Sequence, residues 1–255
     1  MRKIRLLLEY DGTDYHGWQI QNKGLTIQGI IEEGVFRITG EQTRVVGASR
    51  TDAGVHALGQ VAAFRTKSRL EPEKIKSALN AVLPYDIRIL EASEADDSFR
   101  PIYGAVKKSY FYLISNQGET SAFLYRYTLL VKQPLEIKSM ISAAKLIVGK
   151  HDFSAFKGVG SSIKDPVREI FSLDINRLES IGFMTSNMKG DFVRIGIEAN
   201  GFLRHMVRNI VGTLVEIGRG RFSAEKMPEI LKSRDRRLAG PTAPPCGLFL
   251  EKIVY

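Results

Sequence analysis

Asp52 is the residue from which chemistry would start. It lies in Ser49-Arg50-Thr51-Asp52-Ala53-Gly54-Val55-His56-Ala57, a polar turn between two apolar runs of strand character at residues 45–48 and 61–64. One reading is local: a short acidic side chain bonds nearby backbone amides and so favours non-helical chain. The other is a carboxylate held out for reaction, with the Arg50 cation two residues before it and Gly54 two after. The turn by itself fits both.

Two further constellations share this ambiguity. A helix is expected over residues 202–218, where Leu203, Met206, Val207, Ile210, Val211, Leu214 and Ile217 make a wide apolar stripe. Arg204 and Arg208 stand four apart on another face, and Gly212 continues their row with room for a close approach. They are either a solvated charged face or the source of a guanidinium that pairs with a carboxylate, favours its ionised form and fixes its rotamer. Tyr110 and Tyr112, at period two on an expected strand, are either core rings or a platform for an unpaired base, worth ~1–3 kcal/mol per stacked base. Lys107 and Lys108 beside them suit phosphates.

Other chemistries lack their residues. His16, His56, His151 and His205 are scattered, and with Cys246 as the single cysteine no zinc spacing arises. There is no phosphate loop ending in Lys-Ser/Thr, no dinucleotide glycine fingerprint and no Gly-x-Ser-x-Gly elbow. The expectation is an activity without metal, nucleotide or other cofactor.

The elements that must position these residues read as two similar halves. Residues 3–10 alternate as a half-buried strand. Thr26 looks like an N-cap, followed by Ile27, Ile30, Ile31, Val35 and Ile38 at helical spacing and Gly40 as terminator. Strands are expected at residues 43–48, 60–65 and 87–90, with a second helix opened by Pro72. The order β-α-β-β-α-β is the split βαβ signature. The second half repeats it loosely: strands at 106–115, 169–176, 192–199 and 248–254, helices at 137–148 and 202–218, and long loops at 158–166 and 234–245. The expected fold is α/β (α+β), two ferredoxin-like domains at residues 1–103 and 104–255 with mainly antiparallel sheets and a cleft between them.

Composition sets the setting. A chain of 255 residues that is 44% hydrophobic and 25% charged can bury a real core. Its net charge of +9 favours a polyanionic partner, nucleic acid being the commonest. One cysteine fits a reducing compartment, no segment approaches the ~18 apolar residues of a membrane span, and the apolar run at the amino terminus stops at Glu9. A cytoplasmic protein is expected.

Taken whole, the Ser49–Ala57 string closely resembles the catalytic loop of the tRNA pseudouridine synthase A family. Five more segments are similar to that family in order: Tyr10-Asp11-Gly12-Thr13-Asp14-Tyr15-His16-Gly17-Trp18-Gln19, Lys108-Ser109-Tyr110-Phe111-Tyr112, Gly149-Lys150-His151-Asp152-Phe153, the run from Phe202 to Gly212, and Thr242-Ala243-Pro244-Pro245-Cys246-Gly247-Leu248. Two departures stand out. Ser49 replaces a common glycine, and Phe99-Arg100-Pro101-Ile102 stands where the family commonly reads Phe-His-Ala-Arg, which leaves either Arg100 as the RNA contact there or none.

The resemblance implies a homodimer that isomerises uridine to pseudouridine at nucleotides 38–40 of the tRNA anticodon arm. It implies Asp52 as nucleophile at C1′ or C6, or as a base on the sugar. Tyr110 would stack on the flipped uracil, Arg208 would pair with Asp52, Arg50 would fill the space left by the base, and Leu248 would line the pocket. The resemblance gives no chemical part to His56 or His205. Three other readings compete: a non-catalytic tRNA-binding or chaperone protein, a base-releasing glycosylase, and a sheet-based protein-interaction module.

Overall fold

The computed structural model describes residues 1–160 and 163–255. In chain order the elements are β1 (Arg2–Tyr10), α1 (Ile27–Thr39), β2 (Val46–Gly47), β3 (His56–Thr66), α2 (Pro72–Val82), β4 (Ile87–Ala95), β5 (Lys107–Ser115), β6 (Leu129–Leu130), α3 (Ile137–Lys145), β7 (Gly149–Asp152), β8 (Val167–Phe183), β9 (Ser186–Ala199), α4 (Met206–Gly218), α5 (Lys226–Ser233) and β10 (Leu248–Val254). This is a mixed α/β chain whose strand pairings are mostly antiparallel. It divides into two compact units, Met1–Lys108 with Phe249–Tyr255, and Ser109–Leu248.

In the first unit the strands run β4-β1-β3-β10, with β2 also on β3. Strand β1 alternates as its sequence demands, and Ile4, Leu6 and Leu8 are fully buried. Ile27, Ile31 and Val35 of α1 and Ile75 and Leu79 of α2 are fully buried too, each worth ~1.5–3 kcal/mol by burial. The caps fall where the sequence places them. Thr26 Oγ1 accepts the Gly29 N–H at 3.3 Å, and Gly40 ends α1 at φ 73°, which its missing Cβ permits. Residues Phe249–Tyr255 of β10 group with the first unit by contact, and Phe249 and Leu250 pair in parallel with His56 and Ala57.

In the second unit the order is β5-β9-β8-β7, with β6 on β5. The expected strands at 169–176 and 192–199 prove to be parts of one long hairpin, closed by Phe183 opposite Ser186. Its turn residue Met184 has φ 53°. Helix α3 ends three residues before the expected limit at 148. Leu146 and Ile147 donate three residues back, to Ala143 and Ala144, and Gly149 at φ 104° turns the chain into β7. The loop expected over residues 158–166 includes 161 and 162, which lie outside the described residues. No helix of the described residues is long and apolar enough to cross a membrane.

Helix α4 is almost wholly buried, and one position shows why. Gly240 and Pro241 cross so close to Gly212 that a Cβ there would overlap the Pro241 carbonyl oxygen. The close approach expected at Gly212 is therefore made by the chain's own 240–243 segment. Gly212→Ala should lower stability by at least ~2 kcal/mol through overpacking, read as the urea midpoint. Gly118→Ala, with nothing within 4 Å of its Cβ, should stay within ~0.5 kcal/mol of wild type.

Candidate active site

Asp52 sits in the segment between β2 and β3, half-buried, with Arg50 exposed beside it. The turn that holds it is closed by Val55 N–H donating to Asp52 O at 3.2 Å, with Gly54 at φ 75°. Further support comes from residues 10–18. Trp18 N–H donates to Thr51 O at 3.1 Å, and Gly54 N–H donates to Tyr15 O at 3.2 Å. Gly17, at φ 86°, lies so near that a Cβ would stand 2.5 Å from Thr51 O and 2.9 Å from the Asp52 carbonyl carbon. Gly12 is pressed likewise against Val55. The amino-terminal motif thus forms the wall against which the Asp52 turn is cast.

The neighbours of the turn are fixed in their own right. Tyr15 donates from its hydroxyl to Asp86 Oδ1 at 2.6 Å, and burial raises its phenol far above the ordinary value. His56, 1% exposed, accepts the Gly12 N–H on Nδ1 at 3.1 Å and stacks on Phe249 at 4.6 Å. Lys108 Nζ, expected to face phosphate, donates to Ala48 O at 2.7 Å. Arg100 donates to Asp97 O and Phe99 O, at 2.6 and 3.3 Å, within its own loop.

The second unit carries Tyr110 and Arg208. Tyr110, on β5, is 5% exposed and meets Phe202 edge to face, centroids 5.2 Å apart and planes at 85°. Tyr112 takes the core role of the two readings. It is fully buried, its hydroxyl donates to Pro244 O at 2.8 Å, and burial raises its phenol. Leu248 is 5% exposed at the start of β10.

Arg208, in the first turn of α4, donates from Nε to Ala243 O at 2.7 Å, and Ala243 N–H returns a bond to Arg208 O at 3.1 Å. One of its five donors thereby fixes the guanidinium plane. The expected pairing of Arg204 with Arg208 on one helix face is corrected: α4 begins at Met206, after His205 at φ 60°, so Arg204 precedes the helix and donates to Val159 O at 3.3 Å. Neighbouring Asn209, fully buried, donates to Phe156 O at 2.8 Å and accepts from Arg236 Nη2 at 3.0 Å and Thr242 Oγ1 at 2.7 Å. This network seats the 240–243 segment that holds Arg208. The sequence signal for it was the closing motif from Thr242, whose contacts could not be read from spacing.

Asp52 and Arg50 thus belong to the first unit, and Tyr110 and Arg208 to the second. Among the described residues no three His, Cys, Asp or Glu side chains gather as metal ligands.

The chain resembles known proteins along its whole length. The sequence model of the family described as tRNA pseudouridine synthase matches residues 7–104 and 143–255. The chain is 45% identical over 255 residues to tRNA pseudouridine synthase A of Thermoanaerobacter sp. (strain X514), with 100% of both chains covered. It is 46% identical to the protein of that name from Acetivibrio thermocellus and 41% identical to that from Thermodesulfovibrio yellowstonii, again with 100% of each chain covered.

The single tryptophan gives the Asp52 turn its own reporter. Trp18 is 2% exposed, and a Cβ on Gly47 would overlap its indole ring. Gly47→Ala should therefore displace the ring, shift its emission to longer wavelength and cost ~1–3 kcal/mol of stability, measured by fluorescence and urea unfolding.

Proposed function

The chain belongs to the tRNA pseudouridine synthase family, whose members are isomerases, and from that premise we propose that it converts uridine to pseudouridine in the anticodon stem-loop of tRNA, at nucleotides 38–40, with Asp52 as nucleophile. The observation that carries this reading is the Asp52 turn itself: a half-buried carboxylate in a backbone pinned on two sides by residues 15–18. Such preorganisation has no use in a loop that serves only to reverse the chain.

The reaction breaks N1–C1′, rotates the base and joins C5 to C1′. The hydrogen on C5 leaves to solvent and N1 gains one, so the product is an isomer and neither oxidant nor energy source enters. Attack by Asp52 at C1′, attack at C6, and proton abstraction from the sugar all start from this one carboxylate. Arg208 is assigned as the partner of the Asp52 carboxylate. Tyr110 is assigned to the face of the flipped uracil. Arg50, exposed two residues from Asp52, is assigned to the gap the base leaves, where unstacking costs a few kcal/mol.

We further propose that the protein is a cytoplasmic homodimer and that its two domains, expected at residues 1–103 and 104–255, are each ferredoxin-like. Supporting this, β1 and β3 lie side by side in the first unit with β2 also paired to β3, and the second contains β5-β9-β8; the first-third-second arrangement recurs in both. The net charge of +9 supports tRNA as the partner.

Tritium release from transcript labelled at uracil C5 tests the function. Asp52→Ala should reduce release at least ~10³-fold while tRNA affinity changes less than about threefold. Arg50→Ala should slow turnover by more than it weakens binding. Absence of release from wild type on a transcript it binds would refute the assignment.

A further inference from the structure

Strand β2 ends at Gly47, and the Ala48 N–H makes the last ladder bond, to Val61 O at 2.7 Å. One residue later Ser49 has left the sheet with a backbone donor and acceptor that both need partners. A single side chain takes both. Gln60, on β3 and fully buried, accepts the Ser49 N–H on Oε1 at 3.2 Å and donates from Nε2 to Ser49 O at 2.7 Å. The carboxamide does what an opposing peptide residue does in an antiparallel pair, giving one acceptor and one donor to the same residue. Only one orientation of the amide satisfies both bonds.

The remaining Nε2 hydrogen reaches the Tyr10 hydroxyl at 3.4 Å, and that hydroxyl lies 2.8 Å from Thr51 Oγ1. Burial pushes the Tyr10 phenol up to about 12, so it keeps its proton near neutrality. Residues 49 and 51 are thus both fastened to Gln60, the first directly and the second through two hydroxyls. Between and just beyond them stand Arg50 and Asp52.

We propose that Gln60, acting through Ser49 and through Tyr10 and Thr51, is the positioning residue for the Asp52 carboxylate. By standing in for a stretch of sheet, it lets β2 end early and still holds the departing chain to a fixed path. A displacement of ~1 Å at a reacting group can cost ~10²-fold in rate, so such a device acts on turnover while leaving the tRNA-binding surface in place. This inference rests on the function proposed above.

The test measures single-turnover pseudouridine formation and tRNA affinity for wild type, Gln60→Met, Tyr10→Phe, Thr51→Val and Thr51→Ser, with thermal unfolding of each. Gln60→Met should lose ~10²-fold in rate while the Kd for tRNA moves less than about threefold. Tyr10→Phe, which removes one oxygen, should lose roughly fivefold and carries the test if Gln60→Met does not fold. Thr51→Ser should recover most of the rate that Thr51→Val loses, because it restores the hydroxyl. Losses of rate and affinity that move together, in step with loss of folded protein, would mean a merely structural role and overturn the proposal. Wild-type turnover in folded Gln60→Met and Tyr10→Phe would overturn it too, while leaving the proposed function standing. No turnover by wild type would remove that function, and this inference with it.

Discussion

Every buried backbone N–H and C=O must be paired, and nowhere does that rule shape this protein more than where β2 leaves the sheet. From Ser49 to Val55 the chain has no strand to bond. Its polar groups go instead to Trp18, Tyr15 and its own turn, and to the side chain of Gln60. Each of those partners must itself be immobile, which explains the density of close approaches nearby: Gly12 against Val55, Gly17 against Thr51, and Gly47 against the Trp18 ring. The Asp52 carboxylate is held precisely because the segment that carries it has few ways to be arranged.

A similar economy holds Arg208. Its guanidinium is oriented by a carbonyl, Ala243 O, and that carbonyl is placed by a segment seated on Asn209, Thr213 and the bare face of Gly212. The buried polar groups of this network are mutually bonded, which is the condition under which such groups specify one arrangement. On β5 both tyrosines are buried, but Tyr112 is locked in the core by its bond to Pro244 while Tyr110 packs edge to face on Phe202.

Much of the architecture was legible where local rules agree with the fold. Thr26 and Gly40 bound α1, Pro72 opens α2, and the alternation in residues 3–10 gives β1, because each signal is a property of a few neighbouring residues. The misses have physical causes. The turn of the long hairpin is Met184-Thr185, which carries none of the Asn-Gly or Gly chemistry that announces such turns, so its far half went unread. Helix α5 is eight residues long with Pro228 within it. The apolar spacing from Leu203 onward looks helical, but His205 in the left-handed region delays α4 and removes Arg204 from it. At the site, Asp52 stood out by type and context. Gln60 did not, since a glutamine in a strand has no signature until its partners are known.

The first unit is assembled from two distant pieces of chain. Residues 249–255 join it only after residues 109–248 have been made, and their pairing falls at His56 and Ala57, where the Asp52 segment re-enters the sheet. During synthesis at ~5–20 residues per second, the early part of the chain waits on the order of ten seconds for its last strand. Throughout that wait the aromatic seat of Phe249 on His56 is empty. The Asp52 segment is therefore made well before the strand that completes its unit, so a growing chain carries Asp52 long before it carries Phe249.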